Sequence, residues 1–165
     1  MSVVMSATST SPAADQPASR SARDRFCGTW RLVSWTIAQA DGEVIESPLG
    51  RDPLGRIMYH PAGYMSVVLM RSDSPKFASD NLTEATAEEI RAAFAGYIGY
   101  CGSYEVNEQE RFVIHRLQLS SFPNLVGTEQ KRFFAFAGDW LTLQTPPLTL
   151  LGTDQVHRLV WQRLM

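Results

Sequence analysis

Cysteine is scarce in this chain: its 165 residues hold two, Cys27 and Cys101. They form no C-x-x-C unit, and His60, His115 and His157 lack the close spacing of a zinc site, so no metal is expected. Whether the two cysteines pair is left open. A charge excess is lacking as well, since 15 Lys and Arg stand against 17 Asp and Glu for a net charge of −2. A chain without a basic face has no electrostatic footprint for nucleic acid. No apolar run approaches the roughly 18 residues that span a bilayer as a helix, so no membrane partner is expected. The first 22 residues lack both a basic start and the apolar stretch of about 7 to 15 residues of a secretory signal, which makes a cytoplasmic location the expectation. Neither G-x-x-x-x-G-K-[ST] nor G-x-G-x-x-G occurs, and no G-x-S-x-G elbow. No nucleotide cofactor, and no cofactor of any kind, is therefore expected, and there is no sequence case for a serine hydrolase.

What is present is an ordinary globular composition, 44% hydrophobic and 19% charged, at a length that suits one domain. Residues 1–23 are rich in Ser, Thr, Ala and Pro without apolar periodicity and read as a flexible tail, leaving 24–165 as the folded domain. From Gly28-Thr29-Trp30 onward, runs rich in aromatic and β-branched residues alternate with turn signals such as Asp41-Gly42, Pro61-Ala62-Gly63, Pro123-Asn124 and Gly138-Asp139. Strands are expected near 31–37, 44–46, 56–59, 64–71, 99–106, 111–120, 128–137, 140–145 and 156–164. A spacing of about ten residues predicts an all-β antiparallel barrel or sandwich. One helix interrupts it: Thr86-Ala87-Glu88-Glu89 is a capping box, followed by Ile90, Phe94 and Tyr97 at helical spacing. That stripe is expected to pack on the barrel wall or close one mouth.

Gly28-Thr29-Trp30 resembles the G-x-W element that opens lipocalins, and Leu159-Val160-Trp161-Gln162-Arg163 resembles their last strand, where a basic residue covers the first-strand Trp. Further matches run through Pro48-Leu49-Gly50, Gly55 to Tyr59, Gly63 to Ser66, Tyr97 to Tyr104, and His115 to Thr128. The chain thus resembles the lipocalin-like domains, a branch of largely uncharacterised bacterial and fungal proteins, over most of 26–164. The resemblance implies an antiparallel lipocalin-like β-barrel of roughly eight to ten strands with one short helix. It also implies that Arg163 lies over Trp30, a cation–π contact of about 0.5 to 2 kcal/mol. The secreted transport lipocalins are a poorer match, because their signal peptide and their central-loop and closing-strand motifs are not plain here.

In such a barrel inward residues alternate with outward ones. With Trp30 inward, parity puts Leu32, Ser34 and Thr36 inside and Val33 and Trp35 outside, with Trp35 free to meet the helix. The face Val113, His115, Leu117, Leu119 is apolar but for its histidine, which points His115 inward. On the following strand both faces carry a cation and an aromatic; the parity is undecided, and Arg132 is taken as the inward one. Tyr64 and Ser66, Tyr100 and Tyr104, and Asn124 complete the ligand-binding set. Each has a plainer alternative as a packing or surface group, His115 included.

Two functions follow. In the first the barrel binds a small hydrophobic molecule, aromatic or polyketide-like, with His115, Arg132 and the tyrosines fixing its polar end. In the second it is a cofactor-free cyclase, isomerase or dehydratase of secondary metabolism, with His115 as catalytic acid or base. A solid barrel that acts through its outer face, or as a homodimer, is the third possibility.

Overall fold

The computed structural model describes residues 20–150 and 153–164. In chain order the elements are α1 (Ala22–Phe26), β1 (Gly28–Gln39), β2 (Val44–Glu46), β3 (Leu54–Tyr59), β4 (Tyr64–Met70), α2 (Ala87–Ala95), β5 (Tyr97–Asn107), β6 (Phe112–Ser120), β7 (Glu129–Ala137), β8 (Trp140–Gln144), β9 (Leu148–Leu150) and β10 (Thr153–Arg163). Eight strands form an antiparallel ring in the order β1-β3-β4-β5-β6-β7-β8-β10, and β10 pairs back onto β1 to close it. The closing seam runs from Trp30 opposite Arg163 to Gln39 opposite Gln155. The three-residue strands β2 and β9 extend β1 and β10 beyond the ring. Closure leaves the barrel without a long unpaired edge. Most of the expected tail, 1–19, lies outside the described residues, and α1 reaches back to Ala22.

One end of the barrel is solid. Phe26, fully buried, meets the rings of Tyr59, Phe134 and Phe136 edge-on at 4.9 to 5.0 Å, and Tyr59 meets Tyr104 at 4.9 Å. Such pairs add about 0.5 to 1.5 kcal/mol each to the burial of the rings. The Trp30 indole donates to the Phe26 carbonyl at 2.9 Å. As the resemblance implied, the Arg163 guanidinium lies 4.1 Å over the Trp30 ring. It also donates to the carbonyls of Cys27, at 2.8 Å, and Arg25. Gly28 makes this possible: its φ of +126° and a Cβ that would stand 2.8 Å from Arg163 Nη1 both require glycine.

Two bulges reset the alternation. The pairing of β1 with β10 shifts between Leu32 and Ser34, leaving Val33 as an extra residue. Trp30 and Leu32 point inward before it, and Trp35 and Ile37 after it. The expectation that Ser34 and Thr36 face inward with Trp35 outside is therefore corrected: Ser34 is half-buried and Thr36 exposed. In β6 the pairing steps from Leu119–Cys101 to Leu117–Gly102, so Val113, His115 and Leu117 face in while Leu119, expected on their face, is 67% exposed. Beside this bulge the strands nearly touch, and a Cβ on Gly102 would fall 1.9 Å from the Arg116 carbonyl oxygen.

α2 forms as its capping box predicts: Thr86 Oγ1 accepts from the Glu89 N–H at 3.2 Å and Glu89 Oε2 from the Thr86 N–H at 2.8 Å. Its apolar stripe is not buried, however. Ile90 and Phe94 are each 54% exposed, and no α2 residue lines the barrel interior, so the helix does not stopper the mouth. Cys27 and Cys101 are free thiols. Among the described residues no helix is long and apolar enough to cross a membrane.

Candidate ligand site inside the barrel

Beyond the aromatic plug the barrel is hollow. A cavity of about 150 Å³ is walled by Ile57 on β3, Val67 and Leu69 on β4, Ile98 on β5, Leu143 on β8, Leu159 on β10 and Leu125 from the loop after β6. Into this apolar wall are set Trp35, Tyr100, His115, Gln130, Arg132, Thr145, His157 and Trp161. A larger hollow of about 670 Å³ lies outside the barrel between α2 and the segment 70–77. Its charges are already matched, Arg71 with Asp73 at 2.9 Å and Glu89 with the Ala78 and Thr86 N–H groups, so it offers a ligand few unmet polar groups.

At the floor of the inner cavity the Tyr59 hydroxyl lies 2.8 Å from His115 Nε2. Burial, followed by the Arg132 charge, holds His115 down to about 3, and burial holds Tyr59 well above the usual phenol range. Both groups are thus neutral at physiological pH. The bonding favours one tautomer: a phenol donating to Nε2 leaves a single unpaired group, Nδ1–H, whereas the reverse direction would leave both the hydroxyl proton and Nδ1 unpaired. His157, opposite, is also held low by burial and by Arg132. Its backbone N–H donates to Thr145 Oγ1 at 3.0 Å.

Among the described residues four buried side-chain polar atoms have no hydrogen-bond partner: Trp35 Nε1, His115 Nδ1, His157 Nε2 and Trp161 Nε1. All four sit on rings of the cavity wall. The indoles are donors only, and His115 Nδ1 becomes a third donor in its tautomer. A buried group left unpaired costs about 1 to 3 kcal/mol, and all four lie on side chains of this one wall.

Of the residues expected from sequence, His115 is 1% exposed and inward, Arg132 faces the cavity, and Tyr100 lines it. Arg132 donates to the Lys131 carbonyl at 2.7 Å and to Gln130 Oε1 at 3.5 Å. Tyr104 is inward but belongs to the plug, where its hydroxyl donates to the His60 carbonyl at 3.1 Å. The others lie outside the cavity. Met65, Val67 and Leu69 are the buried face of β4, which puts Tyr64 and Ser66 on the outer surface. Asn124 is exposed on the turn Pro123–Leu125, and its neighbour Leu125 reaches the wall instead. Tyr59, Trp35, Trp161, Gln130, Thr145 and His157 were missed. A signal existed for two of them, because alternation backward from Arg163 over Trp30 passes through Trp161, Leu159 and His157.

A closed antiparallel eight-stranded barrel with one short helix at its wall is consistent with the lipocalin-like class. The chain belongs to the lipocalin-like domain family, whose pattern matches residues 27–164. It is 35% identical over 107 residues to a 4'-hydroxy-3'-methoxypropiophenone carrier protein, ppsC, of Aspergillus oryzae (strain ATCC 42149 / RIB 40), a match covering 61% of this chain and 96% of that protein. No solved structure gives a significant match.

Proposed function

We propose that this protein binds and carries a small, single-ring aromatic molecule whose oxygens accept hydrogen bonds from the cavity wall. The observation that carries this reading is an apolar wall into which Tyr100, Gln130, Arg132 and Thr145 set polar groups, backed by ring nitrogens of Trp35, His115, His157 and Trp161 that have no partner in the protein. A cavity on the order of 150 Å³ accommodates one benzene-sized ring. The compound in the relative's name meets the chemical requirement, being one ring with a ketone, a methoxy group and a phenol, but it is about twice the size of benzene, so its side arms must reach the cavity mouth or displace wall side chains. Burying about 150 Å² of such a ring contributes roughly 4 kcal/mol before the costs of association. The hydrogen bonds then fix its orientation.

The test is a titration of the indole fluorescence with 4'-hydroxy-3'-methoxypropiophenone. Saturable quenching is expected, because Trp35 and Trp161 stand in the wall. No change in fluorescence, with no adduct in native mass spectrometry, would sink the proposal.

The enzyme reading draws on the same cavity, with the Tyr59–His115 pair as its proton-transfer device. An acid or base works best with a pKa near the operating pH. His115 held to about 3 and Tyr59 held high are both far from it. Carrying is therefore favoured over cyclase, isomerase or dehydratase chemistry.

A further inference from the structure

The charge of the cavity wall is one-sided. Its titratable and charged members are Tyr100 on β5, His115 on β6, Arg132 on β7 and His157 on β10, with Tyr59 on β3 behind His115. No Asp or Glu lines the cavity, and Arg132 makes no ion pair among the described residues. Its neighbours provide a backbone carbonyl and an amide oxygen, which are dipoles and not a countercharge. The unpartnered indole N–H groups of Trp35 and Trp161 and the Nδ1 of His115 belong to side chains of the same wall and lie buried behind its surface.

We propose that the cavity selects the ionised form of an acidic aromatic ligand, a phenolate conjugated to a carbonyl, with the Arg132 guanidinium as its countercharge and hydrogen-bond donor. The inference rests on the carrier reading above and adds the charge state of the cargo. An anion buried in an apolar hollow is normally disfavoured and would be bound as its neutral acid. Here the wall already contains a guanidinium without an acidic partner, and an incoming anion neutralises it. Hydrogen bonds to an ionised acceptor are also stronger than those to a neutral one. Arg132 lowers the proton affinity of both His115 and His157, so its field reaches across the hollow to where the ligand would lie. Both imidazoles stay neutral through the neutral range, and a pH dependence of binding there reports the ligand's own proton.

Two probes separate the claims: 4'-hydroxy-3'-methoxypropiophenone, whose phenol ionises with a shift of its ultraviolet band, and 3',4'-dimethoxypropiophenone, which cannot ionise. The hydroxy compound is expected to ionise at least one pH unit lower when bound than when free. That shift equals a tenfold or greater preference for the anion. The full chain carrying Arg132→Gln should lose the shift, whereas Arg132→Lys should retain part of it. The circular dichroism of each variant checks its fold, and Arg132→Met replaces Arg132→Gln if the latter misfolds. An unshifted or raised ionisation, with the dimethoxy compound binding as tightly at every pH, overturns anion selection and leaves the carrier reading standing. Failure of both probes to bind overturns both.

Discussion

The two ends of this barrel are built from the same kinds of residue and satisfied to different degrees. At the plug, the indole of Trp30 donates to the Phe26 carbonyl, its face is covered by Arg163, and the Tyr104 hydroxyl has a carbonyl partner. In the hollow, the indoles of Trp35 and Trp161 have no partner, and the charge of Arg132 is unmatched among the described residues. One end is spent on stability; the other holds hydrogen-bonding groups that have no partner in the protein.

The comparison breaks most decisively at the plug. Trp30→Ala removes a fully buried ring, its hydrogen bond and the surface under Arg163. We expect a loss of about 3 to 5 kcal/mol in urea unfolding. A loss under 1 kcal/mol would mean that the plug does not anchor the fold.

Acid probes the hollow next. The unfolded imidazole of His115 takes its proton near 6.5 and the folded one near about 3. Between those values the unfolded chain binds more protons, so stability falls as the pH falls, by up to about 1.4 kcal/mol per pH unit. Above 6.5 the group adds no pH dependence, and His157 acts with the same sign below it. The paired substitution Tyr59→Phe with His115→Leu leaves neither partner stranded and should flatten this acid limb. An unchanged limb would place its origin elsewhere.

The sharpest contrast uses one substitution at two positions. Trp30→Phe loses a satisfied hydrogen bond and much of the ring beneath Arg163, and about 2 kcal/mol of destabilisation is expected. Trp161→Phe loses ring area too, but it also removes an unpartnered donor, so the two effects oppose and the net change should stay within about 1 kcal/mol. Equal losses at both sites would erase the distinction between the ends. The smallest effect belongs to neither end: Ile90→Ser on the exposed face of α2 should change stability by less than about 0.5 kcal/mol.

Much of the fold was legible because turn residues punctuate the strands and because Trp30 and Arg163 are an unusual pair to find at opposite ends of a chain. The inward set was harder, and the reason is local. Alternation carried forward from Trp30 breaks at Val33, and the bulge there hid Trp35. In β4 both faces are largely apolar, and the hydroxyls of Tyr64 and Ser66 marked the wrong one. The inward orientation of His115 was legible because Ile114 and Arg116 make a mixed outer face beside it. Arg132 could not be assigned from its own strand, since Lys131 and Phe133 mirror Arg132 and Phe134. Its position follows from the pairing of β7 with β6, which sets Arg132 opposite inward Val113.

The extra residue at Val33 amounts to a half-period phase shift within one strand. Regular alternation through the same residues, with Val33 paired instead of bulged, would send Ser34 and Thr36 into the hollow, and the cavity would lose an aromatic wall and a donor together. With the bulge, one continuous strand serves two chambers whose alternation is independent. Deleting Val33 would therefore leave the lining in place: Ser34 stays opposite Val160 and Trp35 opposite Leu159, the strand regains plain alternation, and only the kink of the bulge is lost.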